Sequence, residues 1–261
     1  MSIILNEYEW AKEMIEAKSL GKKPSKTLSS IAKYYIHNKD YSKSEARKAL
    51  DDFLLKCDPG ASLPKWSGLL DFAVKQALKY DGVIVDCINI TKPEMAKINE
   101  IQGTQARRLA FTLLCLSKYY NEIDPKCNNW VNSKDSEIMH MANINTSIKR
   151  QSLMYHKLRE EGFIQFSKKV DNINVRVCFA EEGETALKVN DFRNLGFQYL
   201  KYRGEPYFEC GNCGIVTKIS SPSVGRKQKY CKECAIEVKT RQNVNSVMKQ
   251  RGKRAELELI S

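Results

Sequence analysis

The chain has 261 residues, 42% hydrophobic and 28% charged, so it is too apolar for a disordered chain and long enough for more than one core. Lys and Arg number 43 against 31 Asp and Glu, and the formal charge of +12 favours a polyanionic partner. The longest near-apolar run, Leu109 to Leu116, is broken by Thr112 and is too short to span a bilayer, and the acidic start with Glu7, Glu9 and Glu13 is unlike a secretory leader. No membrane partner and a cytoplasmic setting are therefore expected.

Period and punctuation divide the chain at about 100 and 190, with no internal repeat. Residues 1–100 read as a helical N-terminal domain, with helices over 7–18, 25–36, 42–55 and 69–79 and a strand over 82–90. In the third helix Ala46, Ala49, Leu50, Phe53 and Leu54 form one apolar stripe, which is more often a bundle face than a DNA-reading one.

Residues 101–190 have a more specific order. A helix carrying Leu109, Phe111, Leu113, Leu114, Leu116 and Tyr119 precedes a polar loop and a short helix over 133–141. Ser133 is suited to cap that helix, with Asp135 and Glu137 in its positive first turn. A turn at Asn143 and Asn145 leads to a longer helix that starts at Thr146 or Ser147 and stops at Gly162. Two β-prone runs, 163–170 and 173–179, then form a hairpin. This is the order of a winged helix-turn-helix.

On a helical wheel Ile148, Met154, Tyr155 and Leu158 form the core face of the longer helix, and the opposite side is cationic and hydrogen-bonding. Asn145, Thr146, Ser147, Lys149, Arg150, Ser152 and His156 are the residues expected to meet double-stranded DNA. Lys168, Lys169 and Arg176 of the hairpin would lie along flanking phosphates. Exposed helix faces are commonly charged, and winged helices also serve as protein-binding modules, so a non-enzymatic adaptor for host RNA polymerase or another host protein is the alternative.

Residues 191–261 hold the strongest motif. Cys210-Gly-Asn-Cys213 and Cys231-Lys-Glu-Cys234 have the spacing of a four-thiolate zinc site, each pair expected in a knuckle. A closed Zn2+ shell of this kind is structural, and disulfides or a redox pair fit the setting and flanking sequence less well. The other five cysteines, Cys57, Cys87, Cys115, Cys127 and Cys178, read as buried thiols. From Lys218 to Arg254 eleven Lys/Arg face only Glu233 and Glu237. Arg226, Lys227, Lys229, Lys239, Arg241, Lys249 and Arg251 are thus the expected phosphate-binding cations around a zinc ribbon and its basic helix.

The stretches ITKPEMAKI, RRLAFTLLCLSKYY, NNWVN, MANINTSIKRQSLMYHKLREEGFIQFSKKVDNINVRV and DFRNLGFQYLKY, followed by the cysteine pairs, resemble a group of uncharacterised proteins of Gram-positive bacteriophages and prophages. The resemblance implies a phage context in DNA metabolism or regulation, in the bacterial host cytosol, and no residue roles beyond the matching cysteines. No phosphate-cradling glycine loop, HNH-like histidine cluster or spaced carboxylate set supports an enzyme. The expectation is an α+β, mainly helical protein of three domains (1–100, 101–190 and 191–261) that binds DNA as a transcription regulator or replication accessory factor.

Overall fold

The computed structural model describes residues 3–21, 23–167, 174–220 and 227–258, with backbone alone at Asn245 and 249–258. Among the described residues there are ten α-helices and three small sheets, a mixed α+β architecture in which helix predominates. The chain packs as two compact units. One consists of Met1–Met95, Cys115–Asn132 and Gln165–Phe192, the other of Ala96–Leu114, Ser133–Ile164 and Arg193–Ser261.

The first unit opens with four helices, α1 (Glu7–Glu16), α2 (Pro24–Lys33), α3 (Lys43–Cys57) and α4 (Leu63–Ala77). Their starts are fixed locally: the Asn6 side chain accepts from the Tyr8 and Glu9 amides, and Ser42 and Glu45 cap α3 reciprocally. Helix α4 begins six residues before the expected Leu69, because Pro64 occupies the first turn, where no amide donor is required. Leu28 and Ile31 of α2, Leu50, Phe53 and Leu54 of α3, and Leu70, Ala73 and Val74 of α4 share one core. The π-helical turn Tyr34–Asn38 that extends α2 has no sequence signature.

Strand β1 (Ile88–Thr91) is shorter than the expected 82–90 strand; Ile84 makes only a lone bridge to Asn6. Helices α5 (Lys92–Glu100) and α6 (Thr104–Ile123) follow, then the strands β2 (Trp130–Val131), β3 (Ile164–Phe166), β4 (Val175–Val177) and β5 (Thr185–Val189). β1 pairs antiparallel with β5, Ile88 opposite Val189, while the other three form a sheet in the order β2-β4-β3. The turn between the expected hairpin strands, 168–173, lies outside the described residues.

At the junction of β1 and α5 the fully buried Glu94 accepts from the amides of Thr91 (2.7 Å) and Glu181 (2.9 Å) and from Lys118 Nζ on α6 (2.8 Å). Of the single cysteines only Cys115 is buried, and Cys178 is exposed. The burial expected for the others fails because they lie at element ends or in loops, as Cys57 at the end of α3 and Cys127 in a short 3-10 turn do.

The second unit carries α7 (Asp135–Met141), α8 (Ile148–Glu160), α9 (Leu195–Tyr202), β6 (Tyr207–Glu209), β7 (Val216–Lys218) and α10 (Lys232–Glu258). Lys134, not Ser133, precedes α7, and it makes no side-chain cap; the carboxylates of Asp135 and Glu137 are left to complement the helix start. Helix α8 begins at Ile148, just after the expected start at Thr146 or Ser147, with Ser147 as its cap, and Gly162, at φ +80°, lies just beyond it. Tyr155 and Leu158 are buried, but Ile148, expected in the core, is 80% exposed. It is the first helical residue, and its side chain overhangs the N-terminal end of α8.

Candidate metal centre and nucleic-acid interface

The antiparallel hairpin β6–β7, with Tyr207 opposite Lys218 and Glu209 opposite Val216, delivers the first cysteine pair at its tip. Its knuckle is closed by Cys210 N donating to Ile215 O (3.0 Å) and Gly214 N donating to Cys210 O (2.9 Å). Gly214 sits at φ +71°, a conformation that costs a residue without Cβ little. The second pair does not form another knuckle: Cys231 immediately precedes α10 and Cys234 lies in its first turn. A two-residue gap suits a helical turn as well as a knuckle, so spacing alone does not separate them.

The four sulfurs of Cys210, Cys213, Cys231 and Cys234 lie within 4.8 Å of one another, a cluster that could hold a metal ion. Burial pushes the Cys210 thiol up, but the amides of Cys213, Cys231 and Asn212 are aimed at its sulfur and together bring it down to about 6. Cys213 is pushed up to about 12 by burial and by hydrogen bonds with neighbouring sulfurs, and burial also raises Cys231. Cys210 thus ionises readily while Cys213 and Cys231 resist, and a cation bound among them would favour the thiolate forms.

A run of hydrogen bonds within this unit joins the hairpin to the turn before α8. Asn194 Nδ2 donates to Val216 O (3.0 Å), Asn143 Nδ2 donates to Asn194 Oδ1 (2.9 Å), and Phe197 N donates to Asn143 Oδ1 (3.1 Å). Arg193 donates to Cys213 O at 2.7 Å. Helix α9 approaches so closely that a Cβ at Gly196 would stand 2.0 Å from Ala142 O. The side chain of Asn143, a residue of the expected turn, is therefore engaged inside the protein. Asn194 and Gly196 were not singled out in the sequence, although an isolated glycine in the helical pattern LGFQYL is a signal of close packing.

The expected DNA-facing residues gather on α8 and its approach. Asn145, Lys149, Arg150, Ser152 and His156 are exposed. Ser147 Oγ accepts from Arg150 N, Thr146 O accepts from Gln151, and Ser152 Oγ donates to Ile148 O (3.1 Å). Ser152 thus keeps only acceptor capacity for a partner. Lys227, Lys229, Lys239 and Arg241 are exposed, Lys229 also lying over the Tyr230 ring at 5.6 Å. Lys168, Lys169 and Arg226 lie outside the described residues, as do the side chains of Lys249 and Arg251. Arg176, expected along phosphates, instead binds Asn128 through its backbone oxygen and Oδ1.

No helix among the described residues is long and apolar enough to cross a membrane. Comparison with family models, with curated proteins and with solved structures found no match.

Proposed function

We propose that the chain is a non-enzymatic, phage-type DNA-binding protein, a transcription regulator or replication accessory factor of the bacterial cytosol. The reading is carried by α8. Between Asn143 and Arg159 there is no carboxylate, and the exposed side of the helix presents Lys149, Arg150, Ser152 and His156. The element order α6, β2, α7, α8, β3, β4 and the strand order β2-β4-β3 support reading this segment as a winged helix, in which the second helix of the turn enters the major groove.

The metal is Zn2+, held by Cys210, Cys213, Cys231 and Cys234. Four soft donors leave no open coordination position, so its role is to fold this part of the chain. Lys227, Lys229, Lys239 and Arg241 around it add sequence-independent phosphate contacts. Selection of genomic fragments by the zinc-loaded protein tests the reading. A reproducibly enriched site supports it, and fragments that elute without enrichment and without duplex affinity contradict it.

A second reading, an adaptor for host RNA polymerase or another host protein, is favoured by exposed apolar side chains on α10: Ile236, Val244, Val247 and Met248. Retention of a host partner after nuclease treatment, with no affinity for purified duplex, would select it over the first.

A further inference from the structure

Ile148 and Leu153 are 80% and 58% exposed, and Ile148 exceeds Met248 (63%), Tyr80 (61%) and Ile236 (61%). At 100° per residue, Ile148, Ser152, His156, Lys149 and Leu153 follow one another around about 140° of the α8 surface; Leu153 lies roughly opposite the buried Tyr155 and Leu158, and Ile148 lies about 20° from Tyr155, at the edge of the packed side. Cationic and hydrogen-bonding groups occupy the middle of this face, and the two aliphatic groups flank it. Lys149 and Arg150 in its first turn, with no carboxylate from Asn143 to Arg159 in sequence, favour an anionic partner at the start of this face; Asp135 lines the cavity beside Ile148, and Lys157 pairs with Glu161 at 3.7 Å.

Within the reading of α8 as a DNA-contacting helix, we propose that its exposed aliphatic groups recognise thymine, Ile148 packing against a thymine 5-methyl in the major groove and Leu153 supplying a second such contact. The neighbouring Ser152 fits the same base pair. Its hydroxyl proton is held by Ile148 O, so its remaining capacity is that of an acceptor, matched to the exocyclic amine of adenine or of cytosine and not to the acceptor edge of guanine, and the methyl contact is what singles out the T·A pair. A site with A·T pairs under the start of α8 is the ligand that this face selects, and duplex DNA is preferred over RNA, which lacks the methyl.

The test uses the full-length zinc-loaded protein and the duplex it enriches from genomic DNA, with each thymine replaced in turn by deoxyuridine, which removes only the methyl. At one or two positions the replacement is expected to weaken binding about threefold to tenfold, the scale of one buried methyl in a groove contact. Ile148→Ala, at a site outside the core, is expected to fold normally, to bind the thymine duplex as weakly as the wild type binds the duplex with uracil at the position Ile148 contacts, and to be insensitive to the replacement at that position. Equal affinity for thymine and uracil duplexes at every position overturns the proposal, as does an Ile148→Ala loss of equal size on both. Affinity for random duplex, measured in the same titration, reports on DNA binding by itself: if that is absent, the functional reading fails, and if it is present without thymine dependence, only this inference fails.

Discussion

Tyr8 illustrates how a single buried polar group is held in the first unit. Its hydroxyl donates to Asp81, and burial together with that carboxylate pushes its pKa up to about 12 from 10, while the same bond lowers Asp81. The raised tyrosine adds stability below pH 10 that disappears as pH rises through about 12, and the lowered aspartate adds stability above about pH 3.8 that disappears on acidification. Tyr8→Phe is expected to cost about 1 kcal/mol near neutrality, since Asp81 faces solvent. Urea melts should show that difference closing at both pH extremes; a constant difference from pH 3 to 12 would contradict the assignment. Gly196 makes a steric prediction. Because the atom 2.0 Å from its virtual Cβ is a backbone oxygen, Gly196→Ala should destabilise the second unit by about 3 kcal/mol, and an unchanged urea midpoint would show that α9 can move aside.

Among elements, the junction of β1, α5 and α6 depends on Glu94. Glu94→Ala would strand two amides and leave the partly buried Lys118 ammonium with Asn89 O but no carboxylate, at a cost of about 3 kcal/mol, and adding Lys118→Met should recover part of it. Thermal melts in which the double variant is no better than the single would remove the pair from this role. The element starts and stops set by adjacent residues were readable in the sequence: Ser147 and Gly162 bound α8, and the C-x2-C pairs announce the thiol cluster. What depends on distant partners was not. β1 finds β5 almost a hundred residues away, and Lys118 finds Glu94 across two helices. Periodicity placed Ile148 on the packed side of α8 because a wheel records direction and not whether any neighbour reaches that far along the axis. The Asn143–Asn194–Val216 run makes a testable connection: under the proposed function, Asn194→Ala should retain its metal yet bind duplex several-fold more weakly, and unchanged affinity would sever hairpin from α8.

For the whole molecule, charge and metal carry the account. Most of the formal +12 is concentrated in the sequence between Lys218 and Arg254, the stretch that includes Cys231 and Cys234, and the two apolar residues packed against the four cysteines, Ile215 and Tyr230, amount to little core. Metal binding should therefore supply most of the folding free energy there, on the order of 10 kcal/mol. Chelation should release one metal per chain with loss of α10 helicity in circular dichroism, and a natively purified protein without metal would end the structural-zinc reading. Under the proposed function these cations and those of α8 grip a phosphate backbone, and duplex affinity measured against salt tests that grip. If about six or more phosphates are neutralised, affinity for random duplex should fall by about a thousandfold between 50 and 200 mM salt. Affinity that is undetectable at 50 mM salt, or that does not change across this range, would contradict it.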